Sequence, residues 1–138
     1  MTLALAAVAL SALWHAARPE KLAAIPHAPV SGFNFSLGKS CNQDSYVQPV
    51  IEFSRDSRYL RASTIAVMNC SYRATDPQVL FTPQKVTLVI EESPAVSGYA
   101  AACICARALV YDLYRPITAG TLVVLQQAGQ DVARGRAP

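Results

Sequence analysis

"CICARALVYDLYRPITAG", residues 103–120, decides the fold. From 103 to about 115 it alternates with a period of two, the mark of a half-buried strand. Cys105, Leu109, Tyr111 and Leu113 share one face, and Val110, Asp112 and Tyr114 share the other. A face running cysteine, leucine, tyrosine, leucine is a core face. "RPITAG" turns the strand, and "TLVVLQQ" (121–127) is expected to return antiparallel. On an extended strand Cys103 and Cys105 point the same way, with Cα atoms about 6.5 to 7 Å apart. A relaxed disulfide wants about 5.5 Å, so the two are expected to bond elsewhere rather than to each other. The partners on offer are Cys41 and Cys70. The expectation is 41–103 with 70–105, the other crossing, 41–105 with 70–103, staying open.

Working outward, strand signals dominate. "SGFNFSL" (31–37) alternates aromatic and polar residues, and "KVTLVIEE" (85–92) alternates well. "RYLRASTIAVMN" (58–69) follows the turn "SRDSR" and is β-branched toward its end. "YVQPVIEFS" (46–54) carries Pro49, which demotes it to an edge strand or a bulge. "TDPQVLFTPQ" reads as a looped stretch with a short apolar "VLF", and "GQDVARGRAP" as a frayed end. Short strands separated by turn signals point to an all-β, antiparallel β-sandwich of about seven strands, immunoglobulin-like in general architecture. The expected organisation is an apolar leader over 1–17, a Pro-rich linker over 18–30, the sandwich over 31–128 and a flexible tail over 129–138.

The leader begins "MTLALAAVALSALWHAARPEK", and Thr2 to Ala17 hold neither an acid, a Lys nor an Arg. That length suits the apolar region of an export signal and is short for a spanning helix. No Lys or Arg precedes the run, and Leu22-Ala23-Ala24 is the nearest approach to a cleavage site. Export is the expectation, to a periplasmic or extracellular location. Retention of the segment as a helical membrane anchor is the alternative. All four cysteines lie beyond the leader, an even number that suits an oxidising compartment.

Composition excludes more than it names. The chain has 138 residues, 52% hydrophobic and 15% charged, with a net charge of +3. One domain fits that length. Arg55, Arg58 and Arg61 are the nearest thing to a basic patch; they read as a solvated strand edge, not as the dense stripe that nucleic acid needs. Both histidines, His15 and His27, precede the body. The body therefore lacks the imidazole of Ser-His-Asp or Cys-His catalysis and of mixed zinc sites. Glu91 and Glu92 are neighbours on one strand and point to opposite faces, so they cannot act as a pair. Asp44, Asp56, Asp76 and Asp112 suit turns and solvation. The glycines are spread singly, with no phosphate loop. Tyr46, Tyr59, Tyr72 and Tyr99 could serve binding.

The cysteines leave three readings. A four-thiolate metal site on Cys41, Cys70, Cys103 and Cys105 would depart from the usual C-x₂₋₄-C knuckles. A redox pair would depart from C-x-x-C at a helix N-terminus, where the dipole lowers the thiol pKa. Two structural disulfides fit best, with neither a cofactor nor a metal expected.

"VTLVIEESPAVSGYAAACICARALVYDLYRPITAGTLVVL" resembles the C-terminal half of small exported or lipoprotein-like bacterial β-sandwich domains with a C-x-C strand; "SLGKSC" and "LRASTIAVMNCSY" are similar to their earlier cysteine segments. Those domains are of unassigned function, so the resemblance implies fold and compartment and transfers no active site. Two departures are that no lipid-attachment cysteine stands in the leader and that "RPITAG" replaces a Gly-rich turn. The expected function is a non-enzymatic exported or envelope module, binding or structural. Its partner would be a protein or an envelope polymer, not nucleic acid, with membrane contact only through the N-terminal apolar segment. Rival readings are a thiolate metal-binding protein, a membrane-anchored accessory subunit of a larger complex, and an inhibitor or immunity-type partner.

Overall fold

The computed structural model describes residues 29–39, 41, 48–98 and 101–138. The leader and its expected helix, the linker up to residue 28, the Leu22-Ala23-Ala24 stretch, Asp44, Tyr46 and Tyr99 lie outside the described residues. Eight strands form: β1 (Phe33–Leu37), β2 (Glu52–Arg55), β3 (Leu60–Asn69), β4 (Tyr72–Phe81), β5 (Lys85–Pro94), β6 (Ile104–Leu113), β7 (Leu122–Gln127) and β8 (Gln130–Arg136). No helix occurs among the described residues. The strands make two four-stranded sheets, ordered β1-β6-β3-β2 and β4-β5-β7-β8.

Alternation builds the core from both sheets. On β3, Leu60, Ala62, Thr64, Ala66 and Met68 are buried while their neighbours are half-exposed. On β6, Cys105, Leu109, Tyr111 and Leu113 are buried, the core face anticipated from the opening stretch. Leu88 and Ile90 of β5 and Val123 and Leu125 of β7 meet them from the second sheet. Tyr111 lies between layers. Its ring centroid is 5.0 Å from that of Phe35, and its hydroxyl donates to the Val89 carbonyl at 2.9 Å.

Four expectations need correction. First, β7 does not return beside β6: the 114–121 connection crosses to the other sheet, and β7 pairs parallel with β5, Lys85 facing Leu122 and Ile90 facing Gln127. The second sheet is therefore mixed. Ile117, buried in that connection, anchors the crossing. Second, the stretch read as a loop around Asp76 is most of β4. An irregularity between Thr75 and Gln78 absorbs Asp76, at φ 47°, and Pro77. β4 is an edge strand, where a bulge and a proline are tolerated. Third, the expected tail pairs with β7 as β8, which raises the count from about seven strands to eight. Ala128 and Gly129, both at positive φ, make the two-residue turn that right-twisted hairpins favour. Gly135 is needed because a Cβ there would lie 2.8 Å from the Phe53 ring. The fourth concerns the cysteines, below.

Candidate functional site

β3 and β6 run antiparallel, so the sandwich has two chemically distinct ends. One holds Cys70 and Cys103; the other holds the start of β3 and the end of β6.

At the first end the cysteines form two bridges, Cys41–Cys105 and Cys70–Cys103, with Cα separations of 5.4 and 5.7 Å. This is the crossing opposite to the one expected. Register explains it. β6 is central, with β1 on one side and β3 on the other. Leu37 faces Leu109, and continuing that antiparallel register brings residue 41 level with Cys105. Asn69 faces Ile104, and the next step brings Cys70 level with Cys103. The Cys70 N–H donates to the Cys103 carbonyl at 3.1 Å. The expected crossing would require a two-residue slip in both ladders. The sulfurs of Cys41, Cys70 and Cys105 lie within 4.8 Å of one another, so full reduction would bring thiols together. With both bridges closed, none of the four is a free thiolate.

The second end is basic. Arg55 ends β2, Arg58 lies in the β2–β3 turn, Arg61 is the second residue of β3, and Arg115 follows β6. Lys85 and Arg136 join them through the ladder, because both face Leu122 at the start of β7. The side-chain carboxylates placed here, among the described residues, are Asp56 and Asp112. Asp112 holds Arg61 in a two-bond fork at 2.7 and 2.9 Å. That fork holds the guanidinium pKa above its ordinary value. Asp56 is engaged by its own turn: its Oδ1 accepts from the Arg58 N–H at 3.1 Å and stands 3.6 Å from the Arg58 guanidinium. The Arg58 N–H bond, more than the charge, holds the Asp56 carboxyl below its usual range. Arg115 and Arg136 have no carboxylate partner among the described residues.

Backbone groups and rings hold Arg55, Arg115 and Arg136 in place. Arg55 donates to the Ile117 carbonyl, at 3.4 Å, and to a main-chain carboxylate oxygen of Pro138, at 3.0 Å. Arg136 donates to the Gly120 carbonyl at 2.9 Å. The Arg115 guanidinium lies 4.8 Å from the Phe81 ring centroid. Tyr59 and Tyr114 pair at 5.4 Å, with Arg61 at 5.4 Å from the Tyr59 centroid and Asn34 donating to the Tyr114 hydroxyl at 3.2 Å. A cleft of about 410 Å³ opens between the β2–β3 turn and the 114–118 segment, lined by Arg55, Arg58, Tyr59, Tyr114 and Arg115. Guanidinium groups held without carboxylates, beside aromatic rings, suit an anion.

Arg55, Arg58 and Arg61, read from sequence as a solvated edge, thus belong to a larger cluster whose other half is distant in the chain. Tyr59 was a candidate binder and lines the cleft; Tyr72 lies at the start of β4, away from it. Arg115, Arg136 and Tyr114 were missed because nothing local marks them. Glu91 is exposed while Glu92 is half-buried and hydrogen-bonded to Gln127, so the two carboxylates do not converge. No protein-family model, curated protein or solved structure matches this chain.

Proposed function

We propose that the body is a non-enzymatic, exported binding module that takes an anionic partner at its arginine end, in a periplasmic or extracellular setting. The carrying observation is the polarity of charge: Arg55, Arg58, Arg61, Lys85, Arg115 and Arg136 gather at one end against Asp56 and Asp112. Two disulfides are consistent with an oxidising compartment. The absence of histidine after His27 argues against the commoner acid–base machinery. An immunoglobulin-like architecture and an apolar helix ahead of the body remain part of this reading. So does kinship with small exported bacterial domains carrying a C-x-C strand.

A soluble polyanion tests it. Polyphosphate should bind the full chain, and binding should weaken steeply as salt rises, since exposed charges are screened beyond about 10 Å at 0.1 M. Arg58→Gln combined with Arg115→Gln should abolish most of the binding. Arg73→Gln, an exposed arginine facing Ser93 at the cysteine end, should leave it nearly intact. Equal losses from both would refute a localised site.

The convergence of three sulfurs supports a second reading, a thiolate metal protein in its reduced state. A thiol titration of the protein as isolated separates the two, because the disulfide reading expects no reactive thiol.

A further inference from the structure

We infer that the anionic partner of the arginine end is a lipid surface, and that the domain stands on it by that end. The inference rests on the anion-binding reading above and adds the identity of the partner.

The entry point of the chain carries it. Gly32 donates to the Pro29 carbonyl at 2.8 Å, and its own carbonyl accepts from the Tyr114 N–H at 2.9 Å. Arg115 packs so closely on Gly32 that a Cβ there would lie 2.8 Å from its Nε. Residue 29 therefore joins the body at the arginine end, and everything N-terminal to it attaches there. That preceding sequence is the uncharged apolar run Thr2–Ala17, followed by a spacer with Pro19 and Pro26. From residue 18 to 28 an extended chain reaches at most about 40 Å. An apolar run in a bilayer would thus tether the body by its arginine end.

The chemistry of the tip suits an interface. Val30 projects with 104% of its reference exposure, an apolar side chain two residues before the Gly32 on which Arg115 packs. Tyr59 and Tyr114 each present a ring and a hydroxyl, the amphipathic profile enriched at headgroup depth. Arg115 and Arg136 have no carboxylate partner among the described residues and suit lipid phosphates, and each basic residue near an anionic leaflet strengthens partitioning about fivefold. A dissolved polymer would use the same cations, but it would have no use for an exposed valine at the point where an apolar leader joins.

Hydrogen exchange on the full chain tests this. The protein is mixed with vesicles of phosphatidylcholine alone, or of equimolar phosphatidylcholine and phosphatidylglycerol. Any insertion by the apolar run is common to both, so the difference reads the body. The expected result is slowed exchange at 30–34, 55–61 and 113–118 on the anionic vesicles only. Arg58→Gln with Arg115→Gln should remove that difference, Val30→Ser should reduce it, and Arg73→Gln should keep it. Protection at the cysteine end, or no dependence on phosphatidylglycerol, overturns the proposal. If polyphosphate still binds in that case, the anion-binding reading stands and only the lipid is wrong. If it too fails, both fall.

Discussion

Cys70 and Cys103 are bonded twice over: the N–H of one donates to the carbonyl of the other at 3.1 Å, and their side chains form a bridge across the same pair of strands. The bridge follows register, so it reports directly on how β3 and β6 are aligned. Cys41–Cys105 does the same for β1 and β6.

Serine variants should therefore fall into matched pairs, Cys70→Ser with Cys103→Ser and Cys41→Ser with Cys105→Ser. The bridges close chain separations of 33 and 64 residues. Chain-entropy reasoning values both at about 4 kcal/mol and separates them by only about 0.6 kcal/mol. Denaturant melts of all four, with peptide mapping of the unreduced protein, check this. A peptide linking 41 to 103 would contradict the register.

Tyr111 gives the alkaline limb. Burial pushes its phenol pKa well above the ordinary value. The unfolded chain ionises it near pH 10 while the folded protein holds its proton, so stability is full below that pH and falls above it by about 1.4 kcal/mol per unit. Tyr111→Phe should cost about 1 kcal/mol at neutral pH through the lost bond to Val89. It should also flatten the loss above pH 10. A variant with an unchanged alkaline limb would count against this account.

Gly135→Ala measures whether β8 belongs to the fold. The added methyl meets Phe53 at 2.8 Å, an overpacking that should cost about 1 to 3 kcal/mol in a thermal or denaturant melt. No effect would mean that β8 is not docked on β2.

Asp112→Asn separates binding from stability. Arg61 is half-exposed, so losing its ion pair should cost only about 1 kcal/mol. The same change frees a guanidinium at the tip, and polyphosphate binding should tighten about fivefold. Weaker binding would place the site elsewhere.

Legibility in the sequence tracked how local each cause is. β3 and β6 announce themselves because one buried face imposes a period of two on each, while β5, buried in succession at Val86, Thr87 and Leu88, shows as a β-branched apolar run. β4 hides behind Asp76-Pro77, whose bulge is harmless only because that strand is an edge. β8 hides behind Ala128-Gly129, a turn without the usual Asn-Gly signal. The parallel pairing of β5 with β7 depends on where the 114–121 connection travels, which no short-range pattern encodes. Half of the basic end was visible as Arg55, Arg58 and Arg61. The other half arrives through Arg115 and Arg136, placed by strand topology.

Binding at the arginine end is what we propose for this domain. The most direct measurement is a residue-resolved map of backbone amide shifts while the full chain is titrated with polyphosphate. The account predicts the largest shifts at Arg55–Tyr59, Thr82–Lys85 and Leu113–Thr118. Shifts centred on Cys70, Glu92 and Cys103, or spread evenly over both ends, would contradict it.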